Sequence, residues 1–338
     1  MTRADRQAAF DAPAFDPPAS DAPASVTVID GPTAGTDATG PSVPPGAGPP
    51  PVAGGQHREL REMLYFAMRD RRILVGAAII LLFVAIGIVG PIIDQEDPLA
   101  YVGPLGAPPS VDWWFGTTTF GQDVFAQFAN GLQSTFLVGL LGGGLAAVIG
   151  IAVGFVAGYK GGWVDEVLNM ITNVILVIPT LAVLIVFAAY LSARGVIVEA
   201  VFIGLTSWPW AARAIRAQTF SLRAREFVDL ASLSGMSSWK IIFQEIAPNM
   251  GSYLFLTFIL LFGGAVLIAA TLDFIGLGPT DGISLGTMMN NAVLWSALQL
   301  GMWWWFIPPG LGITAIVGSL YVMNVGLDEI FNPKLRDI

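Results

Sequence analysis

The segment REFVDLASLSGMSSWKIIFQEIAPNM, residues 225–250, is polar and lies between two strongly apolar tracts. We call it the polar segment. Its five charged residues are Arg225, Glu226, Asp229, Lys240 and Glu245. The segment is too polar to enter a bilayer and too short to form a domain. Whatever binds it is therefore expected to explain what the protein does.

The first half of the polar segment is compatible with a short helix. Phe227, Leu230 and Ala231 have the i, i+3, i+4 spacing of a single helix face, and we expect them to form its apolar side. Gly235 follows this stretch. Glycine adopts a positive φ without steric cost, so Gly235 suits the left-handed residue that ends a helix.

The second half is predicted to form another short helix, capped by Ser237 or Ser238. Its apolar residues are Trp239, Ile242 and Phe243. Pro248 is expected in the first turn of the long helix that follows. The pattern leaves two interpretations open. In the first, the pair of helices lies on a membrane surface. In the second, the pair protrudes from the membrane and inserts into a groove on a soluble partner.

The composition is that of a polytopic membrane protein. Hydrophobic residues make up 54% of the chain and charged residues 12%, against about 25% charged in ordinary globular proteins. No basic stretch has interleaved aromatic residues, so nucleic acid is not expected as a partner. The chain contains no cysteine, which excludes disulfides, thiolate metal sites and cysteine catalysis.

Six stretches are apolar and long enough to cross a bilayer, which takes about 20 helical residues. The predicted spans are residues 73–93, 134–158, 167–191, 196–217, 250–272 and 301–327. The fourth is the weakest, because Glu199 lies near one of its ends and Arg213 near the other. We predict an all-α polytopic membrane protein with six transmembrane helices. Residues 58–338 form its transmembrane domain, and residues 223–248 form a loop between the fourth and fifth spans.

The basic residues predict the orientation, because Lys and Arg are retained on the cytoplasmic side of a membrane. With both termini in the cytoplasm, 15 of the 16 basic residues are cytoplasmic and only Arg194 lies outside. Trp113, Trp114 and Trp295 then fall in outer segments, where an interfacial belt of aromatic residues is expected. The polar segment is predicted to be cytoplasmic.

Residues 1–57 have a different composition. They hold 11 of the 23 prolines and consist otherwise mainly of Ala, Gly, Asp, Ser and Thr, with no apolar run long enough for a signal peptide. Such a stretch cannot bury enough apolar surface to offset its chain entropy. We predict a disordered cytoplasmic tail, with a proline-rich docking tail as the alternative.

The polar segment resembles the cytoplasmic loop motif of the permease subunits of ATP-binding cassette (ABC) importers. That motif has a Glu-Ala-Ala triplet, a glycine four residues after the triplet, and a later apolar-Leu-Pro ending. The corresponding residues here are Asp229-Leu230-Ala231, Gly235 and Ile246-Ala247-Pro248. The spacing of 13 from glycine to proline fits the motif. Three positions depart from the motif. Asp229 stands where the motif has Glu, Leu230 where it has Ala, and Ala247 where it has Leu.

The resemblance extends from about residue 69 to the carboxyl terminus. The stretches that carry it are FGTTTFGQDVFAQFANG (residues 115–131), AGYKGGWVDE (157–166), LDFIGLG (272–278) and NPKLRD (332–337). They are similar to segments of the permeases of oligopeptide, dipeptide and nickel importers, and the chain looks like the C-type subunit. Gln122 and Gln127 stand where arginine is common in that family, so an outer polar contact is expected to differ here.

The resemblance implies a type I ABC importer permease fold in a bacterial plasma membrane, with a cytoplasmic coupling helix. Such a subunit forms a heterodimeric pore with a homologous second permease. It works with two ABC ATPase subunits and an extracytoplasmic solute-binding protein. ATP and Mg²⁺ bind to the ATPases. This chain has no phosphate-binding loop, so it is predicted to be a non-catalytic transport subunit that binds no cofactor.

The resemblance also implies which residues couple the permease to its ATPases. They are Glu226, Asp229, Ala231, Gly235, Met236, Trp239 and Lys240. Asn169, Asn173 and Asp273 are candidates for lining the pathway, although interhelical hydrogen bonding explains the asparagines equally well, and an interfacial acid or helix-end contact explains Asp273. No catalytic or metal-binding residue is predicted, and the one histidine, His57, adjoins the proline-rich tail.

Several functions stay open at this point. Oligopeptides or dipeptides are the first substrates that the resemblance implies, and oligosaccharides such as cello-oligosaccharides, or nickel, are the alternatives. A membrane enzyme is a remote alternative, since it needs paired ionisable groups at membrane depth. A passive channel is another, against which the loop motif argues. The glycines of residues 139–158 are predicted to pack helices rather than to bind a cofactor.

Overall fold

The computed structural model describes residues 69–94, 96–190, 195–280 and 282–331. The predicted tail, residues 1–57, and the stretch NPKLRD lie outside the described residues. Within the described ranges the chain is helical, apart from turns and one isolated β-bridge between Thr117 and Asp123. The prediction of an all-α protein is confirmed.

The helices, in chain order, are α1 (Arg71–Ile93), α2 (Val124–Lys160), α3 (Gly162–Val177), α4 (Thr180–Tyr190), α5 (Val196–Arg223), α6 (Glu226–Leu233), α7 (Ser238–Lys240), α8 (Ala247–Asn249), α9 (Gly251–Phe274), α10 (Leu285–Leu294) and α11 (Trp303–Phe331). A π-helical turn, Ile241–Ile246, joins α7 to α8. Among the described helices, α1, α2, α9 and α11 are long and apolar enough to cross a membrane, and α3 with α4 would make a fifth span.

The third predicted span, residues 167–191, is not one continuous helix. α3 ends at Val177, α4 begins at Thr180, and the two are bent by 74°. Ile178, between them, is extended, with φ −79° and ψ 123°. Pro179 explains the break, because a residue that precedes proline is disfavoured in the helical region.

The second predicted span, residues 134–158, lies within a longer helix. α2 begins at Val124, where the Asp123 carboxylate accepts a hydrogen bond from the Phe125 N–H at 2.7 Å. Gln127 is buried, and its amide donates to the Pro98 carbonyl oxygen at 3.1 Å and to Gln122 Oε1 at 3.0 Å. Because the Asp123 carboxylate and the Gln127 amide nitrogen find local partners, the helix continues beyond the apolar tract. The two glutamines thus contact each other.

α2 and α5 form the most extensive helix–helix contact. Glycines of α2 face α5 on successive turns. A Cβ added at Gly150 would lie 2.9 Å from Ala211 Cβ, and one added at Gly158 would lie 2.7 Å from Thr219 Cβ. Only glycine allows the two backbones to approach so closely, which confirms the packing role predicted for these positions.

α5 contains the fourth predicted span, residues 196–217, and continues to Arg223. Two of its basic side chains are paired with α3. Arg216 contacts both carboxylate oxygens of Asp165, with Nη2 2.6 Å from Oδ2, and Arg213 donates to Asn173 Oδ1 at 2.6 Å. These two basic side chains of α5 therefore have partners on a neighbouring helix.

Candidate functional site

The polar segment turns sharply at Gly235. α6 ends at Leu233, and Gly235 has φ +82°. The Gly235 N–H donates to the Ser232 carbonyl oxygen at 3.0 Å, and the Met236 N–H donates to the Ala231 carbonyl oxygen at 3.2 Å. These two bonds form a Schellman motif, which satisfies the last carbonyls of a helix when the residue after its cap is left-handed. The turn predicted at Gly235 is present.

After the turn the backbone departs from the predicted pattern. Ser237 is the residue before α7, but its side chain makes no capping hydrogen bond. Pro248 lies in the short helix α8, and the long helix α9 begins only at Gly251. The expectation that Pro248 occupies the first turn of the long helix is therefore wrong. The break falls at Met250, whose φ and ψ are −108° and 2°.

One side of the polar segment is packed against the helix bundle. Val228 is buried on α6, and the π-helical turn buries three isoleucines, Ile241, Ile242 and Ile246. They belong to one apolar cluster with Trp208, Ala212 and Ile215 of α5 and Phe155 of α2. Burying one side chain of this size stabilises the folded protein by about 1.5–3 kcal/mol relative to leaving that side chain exposed. The segment is thus fixed on the ends of α2 and α5.

The other side of the segment exposes apolar residues. Leu230 is 67% exposed, Leu233 85%, Trp239 52% and Phe243 63%. The Trp239 and Phe243 rings are stacked with centroids 6.2 Å apart. We call these four residues the exposed apolar set.

The predicted apolar faces are therefore partly wrong. Of the residues predicted for the first helix, Ala231 is buried but Leu230 is exposed, since the buried face runs through Val228. Of the three apolar residues predicted for the second helix, Ile242 is buried, whereas Trp239 and Phe243 are exposed. A π-helical turn has i→i+5 hydrogen bonds, so Ile241 and Ile246 fall on the same side, which spacing for an α-helix does not reveal.

The predicted coupling residues divide between the two sides. Glu226, Asp229, Trp239 and Lys240 are exposed, as is Gly235 at the turn. Ala231 is buried, and Met236 is half-buried against the cluster that holds the segment. Sequence reasoning missed Leu230, Leu233 and Phe243 as exposed residues. Val228 could have revealed this, because Val228 and Ala231 are also spaced i, i+3 and define a different apolar face of the first helix.

A polar cavity of about 580 Å³ lies between the polar segment and the ends of α2 and α5. Its lining includes Lys160 and Arg223, the last residues of these two helices, and Asp229 of α6. The Lys160 ammonium lies 5.8 Å from the centroid of the Trp239 ring. Basic side chains at helix carboxyl termini are favoured by the helix dipole, so these charges also stabilise the helix ends.

Across the described ranges, the three candidate pathway residues share no hydrogen-bond partner. Asn169 and Asn173 lie one turn apart on α3, and Asn173 accepts the hydrogen bond from Arg213. Asp273 lies at the last turn of α9, is 2% exposed, and accepts a hydrogen bond from the Ser284 hydroxyl. The Asn173 contact matches the interhelical hydrogen bonding considered above.

Comparison with known proteins places this arrangement in a family. The family described as "Binding-protein-dependent transport system inner membrane component" matches residues 150–337, which contain the polar segment, α3 to α5 and α9 to α11. The chain belongs to this family. The permease is therefore a multi-pass membrane protein with the type I permease fold.

Individual relatives support the same assignment. The permease is 30% identical over 275 residues to the oligopeptide transport system permease protein OppC of Mycobacterium tuberculosis, covering 80% of this chain and 93% of the relative. It is 30% identical over 281 residues to the dipeptide transport system permease protein DppC of Alkalihalophilus pseudofirmus, covering 82% and 90%. The resemblance to C-type permease subunits of peptide ABC transporters is confirmed.

Proposed function

We propose that this permease is one half of a heterodimeric pore in an ATP-driven importer of oligopeptides or dipeptides, and that the polar segment is its coupling element. The observation that carries the coupling role is the two-sided construction of the segment. One side is packed on the ends of α2 and α5, and the other exposes Leu230, Leu233, Trp239 and Phe243. Such a segment transmits a push from a bound partner to two long helices.

We further propose that α5, the fourth span in chain order, also crosses the membrane and brings the number of spans to six. A helix with charged residues crosses a bilayer when those charges face protein and are paired. In α5, Arg216 binds Asp165 and Arg213 binds Asn173, both on the neighbouring helix α3. The six spans place both termini and the polar segment in the cytoplasm, as the distribution of Lys and Arg predicts.

Membership of the family supports the proposed partners. Two ABC ATPase subunits, with ATP and Mg²⁺ bound to them, dock on the coupling elements of this permease and of a homologous second permease. Their closure draws the coupling elements together and changes which side of the membrane the pore faces. An extracytoplasmic solute-binding protein delivers the substrate.

Peptides are the proposed substrates because the relatives above are named as oligopeptide and dipeptide permeases. The alternatives considered from the sequence, oligosaccharides and nickel, have no such support among these relatives. Transport of a labelled peptide, a cello-oligosaccharide and a nickel complex by the reconstituted importer distinguishes the three. Uptake of the sugar or of nickel without uptake of peptide would contradict the substrate assignment.

The coupling role is tested with Leu233→Asp. Leu233 is 85% exposed, so the substitution leaves the buried cluster intact while placing a charge where an apolar partner surface is expected. We expect the permease to reach the membrane in normal amount. Co-purification of the ATPase subunits should fall at least about tenfold, which corresponds to about 1.4 kcal/mol.

Leu105→Asp is the matched control. Leu105 is 75% exposed and precedes α2, at the end of that helix opposite the polar segment. It should leave ATPase capture unchanged. If Leu233→Asp captures the ATPases as well as the control does, and substrate-stimulated ATP hydrolysis is normal, the segment is only a surface helix pair and the coupling role is wrong.

The orientation is tested by cysteine labelling, since the chain has no native cysteine. Lys240 and Trp295 are both exposed and are assigned to opposite sides of the membrane. In intact cells an impermeant thiol reagent should label Trp295→Cys and should not label Lys240→Cys until the membrane is opened. The reverse pattern would invert the orientation.

A further inference from the structure

Two acidic side chains meet at the end of the bundle opposite the polar segment. Glu199 lies near the start of α5, and Asp273 lies at the last turn of α9. Their carboxyl groups are within hydrogen-bonding reach of each other. The two residues are far apart in the chain, so this contact is created by the packing of α5 against α9.

The pair is enclosed by closely packed structure. Asp273 is 2% exposed. A Cβ added at Gly286, in α10, would lie 2.5 Å from Asp273 Cβ, and one added at Gly278 would collide with Asp273 Oδ1. Asp273 Oδ2 accepts a hydrogen bond from Ser284, whose side chain also caps α10. The carboxyl group of Asp273 is therefore held in one position by the turn that follows α9.

In the described structure, one oxygen of each of the two carboxyl groups accepts no hydrogen bond. Glu199 Oε1 and Asp273 Oδ1 are buried, and neither has a hydrogen-bond partner in the described part of the chain. A carboxylate offers only acceptors, so two carboxylates cannot satisfy each other. Buried polar atoms without a partner destabilise the fold, and a pair of them requires an explanation.

Among the residues that the structure describes, none places a positive charge on the pair. A small cavity beside Glu199, about 40 Å³ in volume, is walled by apolar side chains of α4, α5 and α9, among them Leu184, Phe187 and Leu272. In the described ranges, the side chain that donates a hydrogen bond to the pair is Ser284, whose hydroxyl is neutral. Two ionised carboxylates in such a site would repel each other strongly.

We propose that Glu199 and Asp273 share one proton, and that this proton-bridged pair is a latch that joins the start of α5 to the end of α9. The shared proton supplies the missing donor, leaves a single negative charge, and explains why two acids are buried together. Through Ser284 the latch also holds α10. It stabilises the end of the bundle that lacks the polar segment.

Infrared spectroscopy of the full-length permease in lipid tests the proton directly. At neutral pH the wild-type protein should show the carbonyl band of a protonated carboxylic acid. Glu199→Gln should abolish the band, because the introduced amide can donate the hydrogen bond itself. Glu166→Gln, a change at an exposed acid of α3, should leave the band unchanged. Absence of the band from the wild type, or its persistence in Glu199→Gln, would overturn the proposal.

Thermal melting tests the latch. Glu199→Gln should melt within a few degrees of the wild type, since a hydrogen bond to Asp273 is retained. Glu199→Leu, which leaves the Asp273 Oδ1 atom without a donor, should melt several degrees lower. Equal melting of Glu199→Leu and the wild type would show that the pair does not join the helices. A wild-type melting temperature that rises when Na⁺ replaces choline at constant ionic strength would show a bound cation instead of a proton.

Discussion

Two segments outside the long apolar helices, the loop of residues 94–123 and the polar segment, are held on the bundle in different ways. At Thr117 the loop is held by individual hydrogen bonds. Thr117 Oγ1 donates to the Pro104 carbonyl oxygen at 2.5 Å, and Trp304 Nε1 donates to the Thr117 carbonyl oxygen at 3.1 Å. The polar segment depends on buried apolar side chains, chiefly the isoleucines of its π-helical turn. Its exposed side is therefore free to carry a second apolar surface.

The loop and the polar segment each contain a glycine with a positive φ. These two glycines make it possible to test how differently the two segments are held. Gly121 in the loop has φ +77°, and Gly235 in the polar segment has φ +82°. A Cβ at Gly121 would collide with the Gly103 carbonyl oxygen, whereas a Cβ at Gly235 would meet no atom within 4 Å. Identical substitutions at the two positions should therefore have unequal effects.

The largest effect is expected from Gly121→Val. The substitution adds a collision with a backbone carbonyl oxygen to the cost of about 1–2 kcal/mol for a left-handed residue with a side chain. The loop must shift, so we expect little folded permease in the membrane. The measurement is the yield of monodisperse protein on size-exclusion chromatography. Gly144→Val, at a glycine with open space around it, is the control. A normal yield from Gly121→Val would show that the loop is not held as described.

A smaller effect on folding is expected from Gly235→Val. Only the backbone cost of about 1–2 kcal/mol applies, because the space beside Gly235 is open. The helices should insert, but the turn should misplace Met236 and Trp239. We expect a permease that is folded yet fails to capture its ATPases or to respond to them. Co-purification and substrate-stimulated ATP hydrolysis measure this. If both are normal, the turn at Gly235 is not needed for coupling.

The smallest effect concerns Asp123, which begins α2 at the end of the loop. Burial raises the pKa of the Asp123 carboxyl from 3.8 to about 6, and nearby Asp94 adds to the increase, while the hydrogen bonds from the Phe125 and Ala126 N–H groups oppose it. Between these pH values the folded state holds a proton that the unfolded state has lost. Stability should therefore fall as the pH rises from about 4 to about 6.

Asp123→Asn keeps the capping oxygen and removes the titration. Its melting temperature should depend less on pH across this range than that of the wild type, by a few degrees at most. Asp97→Asn, at an exposed acid of the same loop, should retain the wild-type dependence. If the melting temperature of Asp123→Asn depends on pH as strongly as that of the wild type, another group is responsible for the titration.

Much of the architecture was predictable because it depends on local chemistry. Gly235 was identified as a turn because few other residues adopt its backbone conformation. The break between α3 and α4 was available in principle from Pro179, but the apolar run on either side of it predicted a continuous span. The additional turns of α2 were missed because Gln127 is polar. Its amide nitrogen donates to Pro98 and Gln122, contacts that the sequence does not reveal and that lower the cost of burying it.

The amino-acid sequence by itself determined the class of protein, its apolar helices, the family and the position of the turn in the polar segment. These depend on composition, on runs of neighbouring residues and on short motifs. The tertiary structure alone decided which side of the polar segment is buried, because a π-helical turn changes the spacing of buried residues. It also decided that Glu199 meets Asp273, since side chains distant in the chain come together only when the helices that carry them pack.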